Sequence, residues 1–227
     1  MTLRNWKITC YLSSPLCGDA PRIDAIMEYE MAMKMGMKHA RKLTRAVPLS
    51  EIERPPIPVA RRTIAGFDMY CASDPILDVV HADYTERQSK RFDSDICAEL
   101  LNEKNRKKMN TSSGPYKSRY VPLRVRNVER IAWFVRGDKG RMDQLLRRIH
   151  AIGSERSYGY GAVSKWDYEE VDFDASIFAD DNGTRIVMRV MPAQSAEGAS
   201  GYNRSDGGGF PPYWHTANFW ESAIPCQ

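Results

Sequence analysis

Residues 84–128 are too polar to form a hydrophobic core of their own. They are rich in lysine and arginine and poor in aliphatic side chains. A segment of this composition cannot bury enough apolar surface to offset the loss of chain entropy on folding. We therefore expect the rest of the chain to provide the core, and residues 84–128 to project from it as a basic insertion, with a helix over 96–108 and a loop over 110–116.

On both sides of this insertion, strand-like and helix-like patterns follow one another. Apolar residues recur at every second position in the former and at every third or fourth position in the latter. The predicted elements are a strand over 6–12, a helix over 23–31 with Asp19 as its N-cap, a strand over 62–70 with a bulge at Gly66, a strand over 129–136, a helix over 142–149 that stops at Gly153, and strands over 161–171 and 184–191. This order, βαβ, insertion, βαββ, favours a ferredoxin-like (RRM-like) α+β fold over a doubly wound parallel sheet.

The length of 227 residues is consistent with a single domain, 1–227, that ends in an aromatic extension. Residues 192–210 are rich in glycine and serine, which predicts a flexible loop. The aromatic extension begins where this loop ends. We expect Tyr213, Trp214 and Trp220 to pack on the sheet and to hold the C-terminus there.

Charge is distributed unevenly along the sequence. Residues 87–156 hold 18 Lys/Arg against 8 Asp/Glu, a net charge of +10, whereas residues 157–227 hold 4 against 10, a net charge of −6. A positive excess of this size repels itself unless an anionic partner neutralises it, and nucleic acid is the usual partner. A solvated basic face is the alternative. The acidic C-terminal third is suited to contact with a basic protein.

The sequence also argues against several classes of protein. No apolar run approaches the ~18 residues of a membrane-spanning helix, and the N-terminus does not resemble a secretory signal, so we expect a cytoplasmic protein without membrane contact. The five cysteines include no CxxC pair, which disfavours a zinc site. Neither a Walker A loop nor a dinucleotide fingerprint is present. We therefore expect no metal and no cofactor.

The clearest functional motif is the glycine-rich segment, residues 153–161, which lies between the second predicted helix and the strand after it. Clustered glycines permit positive φ angles and let a ligand approach the backbone N–H groups. Arginine and serine can bind phosphate, and tyrosine can stack on bases. The candidate RNA-binding residues are Gly153, Ser154, Arg156, Ser157, Tyr158, Gly159, Tyr160 and Gly161. An ordinary glycine-rich turn is the alternative, but the adjoining basic block favours contact with nucleic acid.

A second group of candidates lies near the end of the insertion. Basic and aromatic residues are interleaved over residues 116–126. Such a pattern is typical of surfaces that bind single-stranded nucleic acid. Four cations are expected to extend the phosphate-binding track: Lys117, Arg119, Arg124 and Arg126.

A helix, then G-x-x-R-S-x-G-x-G, then a strand resembles the glycine-rich loop of the CRISPR-associated RAMP superfamily, whose members are ferredoxin-like RNA-binding subunits. Residues 12–18, 23–29 and 211–215 are similar to the Cas-five-type subunit of type IV effector complexes. The resemblance covers both ends of the chain and residues 129–171, and extends only loosely to the middle.

This resemblance implies a non-catalytic subunit of a type IV CRISPR ribonucleoprotein effector, which acts in antiviral defence. The glycine-rich segment would hold the backbone of the guide RNA (crRNA). The insertion 84–128 would be a thumb-like element that grips the 5′ handle of that RNA. The implied partners are crRNA and the backbone and large subunits of the effector, and contact with target DNA is left open.

Two other functions remain as alternatives. Some relatives in the superfamily cleave RNA without metal, so the chain could be an endoribonuclease that processes pre-crRNA. His150 is the best candidate for the general base, although a histidine there also fits a helix C-terminal cap, and Tyr158 with Lys117 or Lys139 could substitute for it. The other alternative is a protein-interaction subunit whose basic surface contacts acidic proteins instead of nucleic acid.

Overall fold

The computed structural model describes residues 3–36, 48, 51–52, 54–90, 113, 117, 119–209, 211–213 and 215–226. They form two α-helices, α1 Ile23–Lys34 and α2 Lys139–Leu146. The strands are β1 Arg4–Leu12, β2 Leu16–Cys17, β3 Arg61–Ile64, β4 Phe67–Tyr70, β5 Ile76–Lys90, β6 Arg119–Gly137, β7 Val163–Val171, β8 Phe178–Asp181, β9 Thr184–Val187, β10 Met191–Pro192, β11 Tyr202–Gly208 and β12 Phe219–Pro225. The helix expected over 96–108 and most of the loop expected over 110–116 lie outside the described residues.

The main sheet is antiparallel, and its four long strands lie in the order β7-β1-β6-β5. The short strand β2 pairs with β6 on the same edge as β1. Strand alternation places Trp6, Ile8 and Cys10 on one face of β1, where all three are buried. The chain is therefore a mixed α+β protein with mainly antiparallel sheets, as the sequence predicted.

Both helices pack against the buried face of this sheet. The apolar stripe of α1 includes Ile23, Ile26 and Met27, and that of α2 is formed by Met142, Leu145 and Leu146. These side chains form one core with the buried residues of β1 and β6. Burying each of them stabilises the fold by about 1.5–3 kcal/mol. Neither helix is long and apolar enough to cross a membrane, nor is any other in the part of the chain that the structure describes.

A long hairpin of β5 and β6 extends beyond the other strands. Its pairing continues from Ala82–Asn127 out to Lys90–Arg119. β1 pairs with β6 only from Arg130 onward, and β2 adds two positions, Val125 and Arg126. The described ends of the predicted insertion are therefore strands, and the outermost part of the hairpin has no third strand beside it among the described residues.

The C-terminal part of the chain forms smaller sheets beside the main one. β10, β12 and β11 form one sheet in that order, and β3–β4 and β8–β9 are hairpins. They share a second core that includes Met69, Ile177 and Met191. Trp220 of the aromatic extension stacks on Phe67 of β4, with 4.5 Å between the ring centroids.

Several local predictions were wrong. Residues 62–70 belong to the hairpin β3–β4 because Ala65 and Gly66, with φ of 49° and 83°, reverse the chain between the two strands. The loop predicted over 192–210 is wrong for Tyr202–Gly208, which pair with β12 as strand β11. The N-cap of α1 is Arg22 instead of Asp19. α2 ends at Leu146, before 149, and β9 ends at Val187, before 191.

A network of buried polar side chains joins the start of α1 to the C-terminal part. Arg189 donates hydrogen bonds to Asp24 (2.8 Å), to the Ala72 carbonyl (2.6 Å) and to the Gly209 carbonyl (3.1 Å). The Tyr213 hydroxyl contacts both Asp24 and Arg189. The network fixes the orientation of α1, and with it the residues on the exposed face of that helix.

Candidate nucleic-acid interface

The glycine-rich segment connects α2 to β7 and packs against residues 13–18. The backbone hydrogen bonds that hold it there run from Ser154 N to Cys17 O (2.9 Å), from Gly161 N to Pro15 O (2.8 Å) and from Ser13 N to Ala162 O (2.9 Å). Within the segment, the amides of Tyr158 and Gly159 donate to the carbonyls of Glu155 and Arg156. Four of the N–H groups that were expected to bind an anion are therefore already occupied.

Two of the three glycines are required by packing. A Cβ at Gly153 would lie 2.8 Å from the Cys17 carbonyl oxygen, and a Cβ at Gly161 would lie 1.8 Å from the Ile152 carbonyl oxygen. Both residues also have positive φ, 87° and 64°. Gly159 differs, because no described atom outside its chain neighbours lies within 4 Å of the position that a Cβ would occupy. Gly153 and Gly161 therefore serve folding, and Gly159 is the glycine that a ligand can approach.

The outer side of the segment is exposed. Ser154, Arg156, Ser157, Tyr158 and Gly159 all face solvent, and the Tyr158 side chain is 62% exposed. Residues 156–158 form one turn of 3₁₀-helix, which begins after Glu155 at a positive φ of 52°. This turn brings the predicted phosphate and base ligands together on one side of the segment.

Arg156 has no acidic partner among the described residues. Its guanidinium lies instead over the ring of Tyr29 on α1, 5.8 Å from the ring centroid. A cation over an aromatic ring keeps its positive charge, whereas an ion pair cancels it. Arg156 therefore presents a positive charge that none of the acids in the described part of the chain neutralises.

Tyr160 differs from Tyr158 because it is only partly exposed. Its ring packs against the small core of Cys17, Leu123 and Val125. Its hydroxyl donates a hydrogen bond of 2.5 Å to Glu86 of β5. This bond to the carboxylate, with the smaller effects of burial and of the Glu86 charge, raises the pKa of Tyr160 to about 12. Tyr160 therefore holds the glycine-rich segment against the hairpin.

The predicted basic track does not lie on one surface. Strand alternation places Arg119 on the opposite face of β6 from Arg124 and Arg126. Arg124 is paired with Asp83, 2.5 Å away, and this contact lowers the pKa of the Asp83 carboxyl. Lys117 and Arg119 are exposed. They are the two members of the predicted track with no acidic partner among the residues described.

Arg126 is a structural residue. It is only 5% exposed, and its guanidinium donates to the Gly18 carbonyl at 2.8 Å and contacts Asp19 at 3.4 Å. A guanidinium in this position cannot reach a phosphate without leaving its site. These contacts give Arg126 a structural role, and its predicted contact with RNA stays a prediction.

Other cations of the basic block are neutralised by acids from distant parts of the chain. The ion pairs are Arg130–Asp78 (2.9 Å), Arg148–Glu30 (3.4 Å) and Arg136–Asp174 (4.0 Å). The excess charge counted along the sequence is thus reduced on the folded surface. The positive charges that remain available matter more than the total.

His150 is exposed beyond the end of α2 and lines a depression of about 460 Å³ with Lys139, Lys165 and Tyr168. No residue of the glycine-rich segment lines the same depression. The candidate general base therefore does not share this depression with Arg156 or Tyr158. In the part of the chain described, no group of three or more His, Cys, Asp or Glu side chains is placed to hold a metal ion.

Sequence reasoning missed Tyr29 as a site residue. It lies within the helix predicted over 23–31, yet it is 48% exposed and carries Arg156 over its ring. An aromatic residue at helical spacing is usually core. Only the contact with Arg156 in the folded chain shows that Tyr29 lies beside the glycine-rich segment.

The family described as CRISPR type IV associated protein Csf3 matches residues 68–225. The match includes the β5–β6 hairpin, α2 and the glycine-rich segment, and covers more than half of the chain. No curated protein matches the chain.

Proposed function

This chain belongs to the family of CRISPR type IV associated protein Csf3, and we propose that it is a non-catalytic, RNA-binding subunit of a type IV CRISPR effector. In this role the outer side of the glycine-rich segment contacts the guide RNA. The observation that carries the proposal is the exposed turn of residues 156–158, in which Arg156 has no acidic partner among the described residues.

The chemistry of this turn suits a sugar-phosphate chain better than a protein surface. Arg156 supplies an unneutralised cation, Ser157 a hydroxyl donor and Tyr158 an exposed ring. Phosphate contacts position a nucleic acid and stacked rings hold its bases. The open side of Gly159 lets the chain approach the backbone closely.

The sheet topology supports a ferredoxin-like RAMP fold for the core. Four antiparallel strands in the order β7-β1-β6-β5, with α1 and α2 on one face, correspond to a βαββαβ arrangement. In this arrangement the glycine-rich segment follows the second helix and enters the last strand of the sheet. That is the position expected for it from the RAMP resemblance.

The β5–β6 hairpin is proposed as the base of the thumb-like element over 84–128. Tyr160 attaches it to the glycine-rich segment through Glu86, so both can contact one RNA. Lys117 and Arg119 supply exposed cations at its outer end. We place the 5′ handle of the guide RNA between this hairpin and the turn of residues 156–158.

The other partners are neighbouring effector subunits, both backbone and large. Exposed apolar side chains on the hairpin, Tyr120 and Val121, and just after α1, Met35, are suited to such contacts. The same proposal includes contact with target DNA, because the phosphates of any single strand would meet the same cations.

The test is the salt dependence of RNA binding by the purified full-length chain. The logarithm of the affinity for single-stranded RNA should fall with the logarithm of salt concentration, with a slope of about −0.7 for each phosphate contacted. Arg156→Ala should weaken binding and make this slope less steep. Arg119→Ala should do the same.

Arg204→Ala is the matched control. Arg204 is an exposed arginine of β11 that pairs with Glu221 at 3.5 Å, away from the glycine-rich segment. Its removal changes the net charge by the same amount and should leave the slope unchanged. Equal RNA affinity for wild type and Arg156→Ala would contradict the proposal.

A further inference from the structure

We infer that Tyr29 and Arg156 together form a base-stacking subsite for single-stranded RNA, an inference that rests on the proposed function. Tyr29 lies on α1, outside the residues matched by the family, so the comparison assigns it no role. The guanidinium of Arg156 lies 5.8 Å from its ring centroid, within the range of a cation–π contact.

Tyr29 and Arg156 are both exposed, although Tyr29 belongs to a helix that packs against the core. Tyr29 follows Ile26 and Met27, which are buried, but it is itself 48% exposed. No described side chain other than Tyr29 engages Arg156. No described side chain covers the side of the guanidinium directed away from the ring, and the flat surface of this group matches the flat surface of a base.

The contact with Tyr29 also prepares Arg156 for binding. A long arginine side chain loses conformational entropy when a ligand immobilises it, and a side chain already held over a ring loses less. The ring thus positions the cation before RNA arrives.

Neighbouring groups favour a base over a carboxylate-bearing protein as the ligand. Tyr158, on the same turn as Arg156, offers a second exposed ring beside the open position of Gly159. Glu30, next to Tyr29, is paired with Arg148 at 3.4 Å, so its charge is compensated. Two rings and one guanidinium give a stacking surface for adjacent bases of one strand.

Binding of a fluorescein-labelled oligouridylate of about 12 nucleotides, followed by anisotropy, tests the subsite. Tyr29→Ala should weaken the affinity about tenfold, since stacking on one aromatic ring contributes about 1–3 kcal/mol per base. Tyr29→Phe, which keeps the ring, should retain the affinity of the wild type. The salt slope should stay unchanged in both variants, because neither removes a phosphate contact.

Met33→Ala is the matched control for this measurement. Met33 lies one turn further along α1, is 58% exposed and carries no aromatic ring. Its replacement should leave RNA affinity unchanged. Both positions are exposed, so neither variant is expected to unfold, and thermal melts followed by circular dichroism check this.

Photocrosslinking gives a readout that a purely structural role of Tyr29 would not produce. An oligonucleotide that carries 5-iodouridine is bound, irradiated and digested with trypsin. The tryptic peptide 23–34 contains Tyr29 as its single aromatic residue. We expect a nucleotide adduct on this peptide in the wild type and its loss in Tyr29→Ala.

The outcomes separate this inference from the proposed function. Absence of RNA binding by the wild type would overturn both. RNA binding with the expected loss in Arg156→Ala, but with unchanged affinity in Tyr29→Ala and no adduct on peptide 23–34, would overturn the subsite alone.

Discussion

Asp24 and Arg189 form an ion pair in which both side chains are completely buried, with 2.8 Å between Asp24 Oδ2 and Arg189 Nη2. Burial opposes the ionisation of Asp24, but the charge and hydrogen bonds of Arg189 outweigh it and lower the pKa of the carboxyl. The same pairing raises the pKa of Arg189 above its ordinary value. Both groups are therefore charged, and they fix α1 to the C-terminal part of the chain.

Breaking this pair should destabilise the protein severely. Asp24→Asn leaves the guanidinium of Arg189 buried without a countercharge, which costs about 3–5 kcal/mol of unfolding free energy. Urea denaturation followed by circular dichroism measures the change. Arg4→Ala, which removes one partner of the exposed pair Arg4–Glu170, is the control and should have little effect. Comparable stabilities for the two variants would refute the importance assigned to the buried pair.

Glu28 should make stability depend on pH near neutrality. Burial is the main cause that raises the pKa of this carboxyl to about 7, although Arg54, 3.5 Å away, opposes the shift. The pKa of Glu28 in the folded protein lies above its value of about 4.3 in the unfolded chain. The contribution of Glu28 to stability is therefore fully present below about pH 4.3 and is lost as the pH rises through 7. Glu28→Gln removes this dependence. When the pH rises from 5 to 8, the wild type should lose about 2 kcal/mol of unfolding free energy that Glu28→Gln retains.

Denaturation curves at those two pH values test the prediction for Glu28. Glu170→Gln, at an exposed position on β7, is the control. Parallel pH profiles for wild type and Glu28→Gln would show that the carboxyl titrates normally in the folded protein.

Removal of the side chain should lower the stability of the protein at Arg126 but not at Arg119. Arg126→Ala leaves the Gly18 carbonyl without its buried donor, which should cost about 1–3 kcal/mol of stability. Arg119 is exposed at the outer end of the hairpin, so Arg119→Ala should leave stability unchanged. Thermal melts distinguish the two variants. An unchanged melting temperature for Arg126→Ala would restore it as a candidate RNA ligand.

The glycines of residues 153–161 should differ in their tolerance of alanine. At Gly161 a Cβ would lie 1.8 Å from a backbone oxygen, so Gly161→Ala should lower the unfolding free energy by about 3 kcal/mol or more. At Gly159 the position is open but φ is 89°, so Gly159→Ala should cost only about 1 kcal/mol of backbone strain. Chemical denaturation of both variants measures the difference. Equal losses would mean that the close contact at Gly161 relaxes.

RNA cleavage is not expected. His150 lies in the depression beside Lys139 and Lys165, which no residue of the exposed turn 156–158 lines. Purified chain incubated with repeat RNA in EDTA should leave the RNA intact, as judged by denaturing gel electrophoresis. Cleavage that disappears in His150→Ala would instead identify an endoribonuclease.

Much of the fold could be predicted because it depends on local patterns. β1 alternates apolar and polar residues, and the apolar residues of α1 and α2 recur at helical spacing. The error at residues 202–208 occurred because a tertiary contact overrides local composition. β11 contains four polar residues and two glycines, and it is a strand because β12 pairs with it over its whole length.

Strand β1, the two helices, the basic block and the glycine-rich segment could be recognised from the amino-acid sequence alone, because periodicity and composition are local properties. Which cations stay free was decided only by the tertiary structure. Arg124 meets Asp83 across the hairpin, Arg126 is buried against Gly18, and Arg156 lies over Tyr29. Each of these contacts joins residues that are far apart in the chain, so only folding determines where charge remains for a ligand.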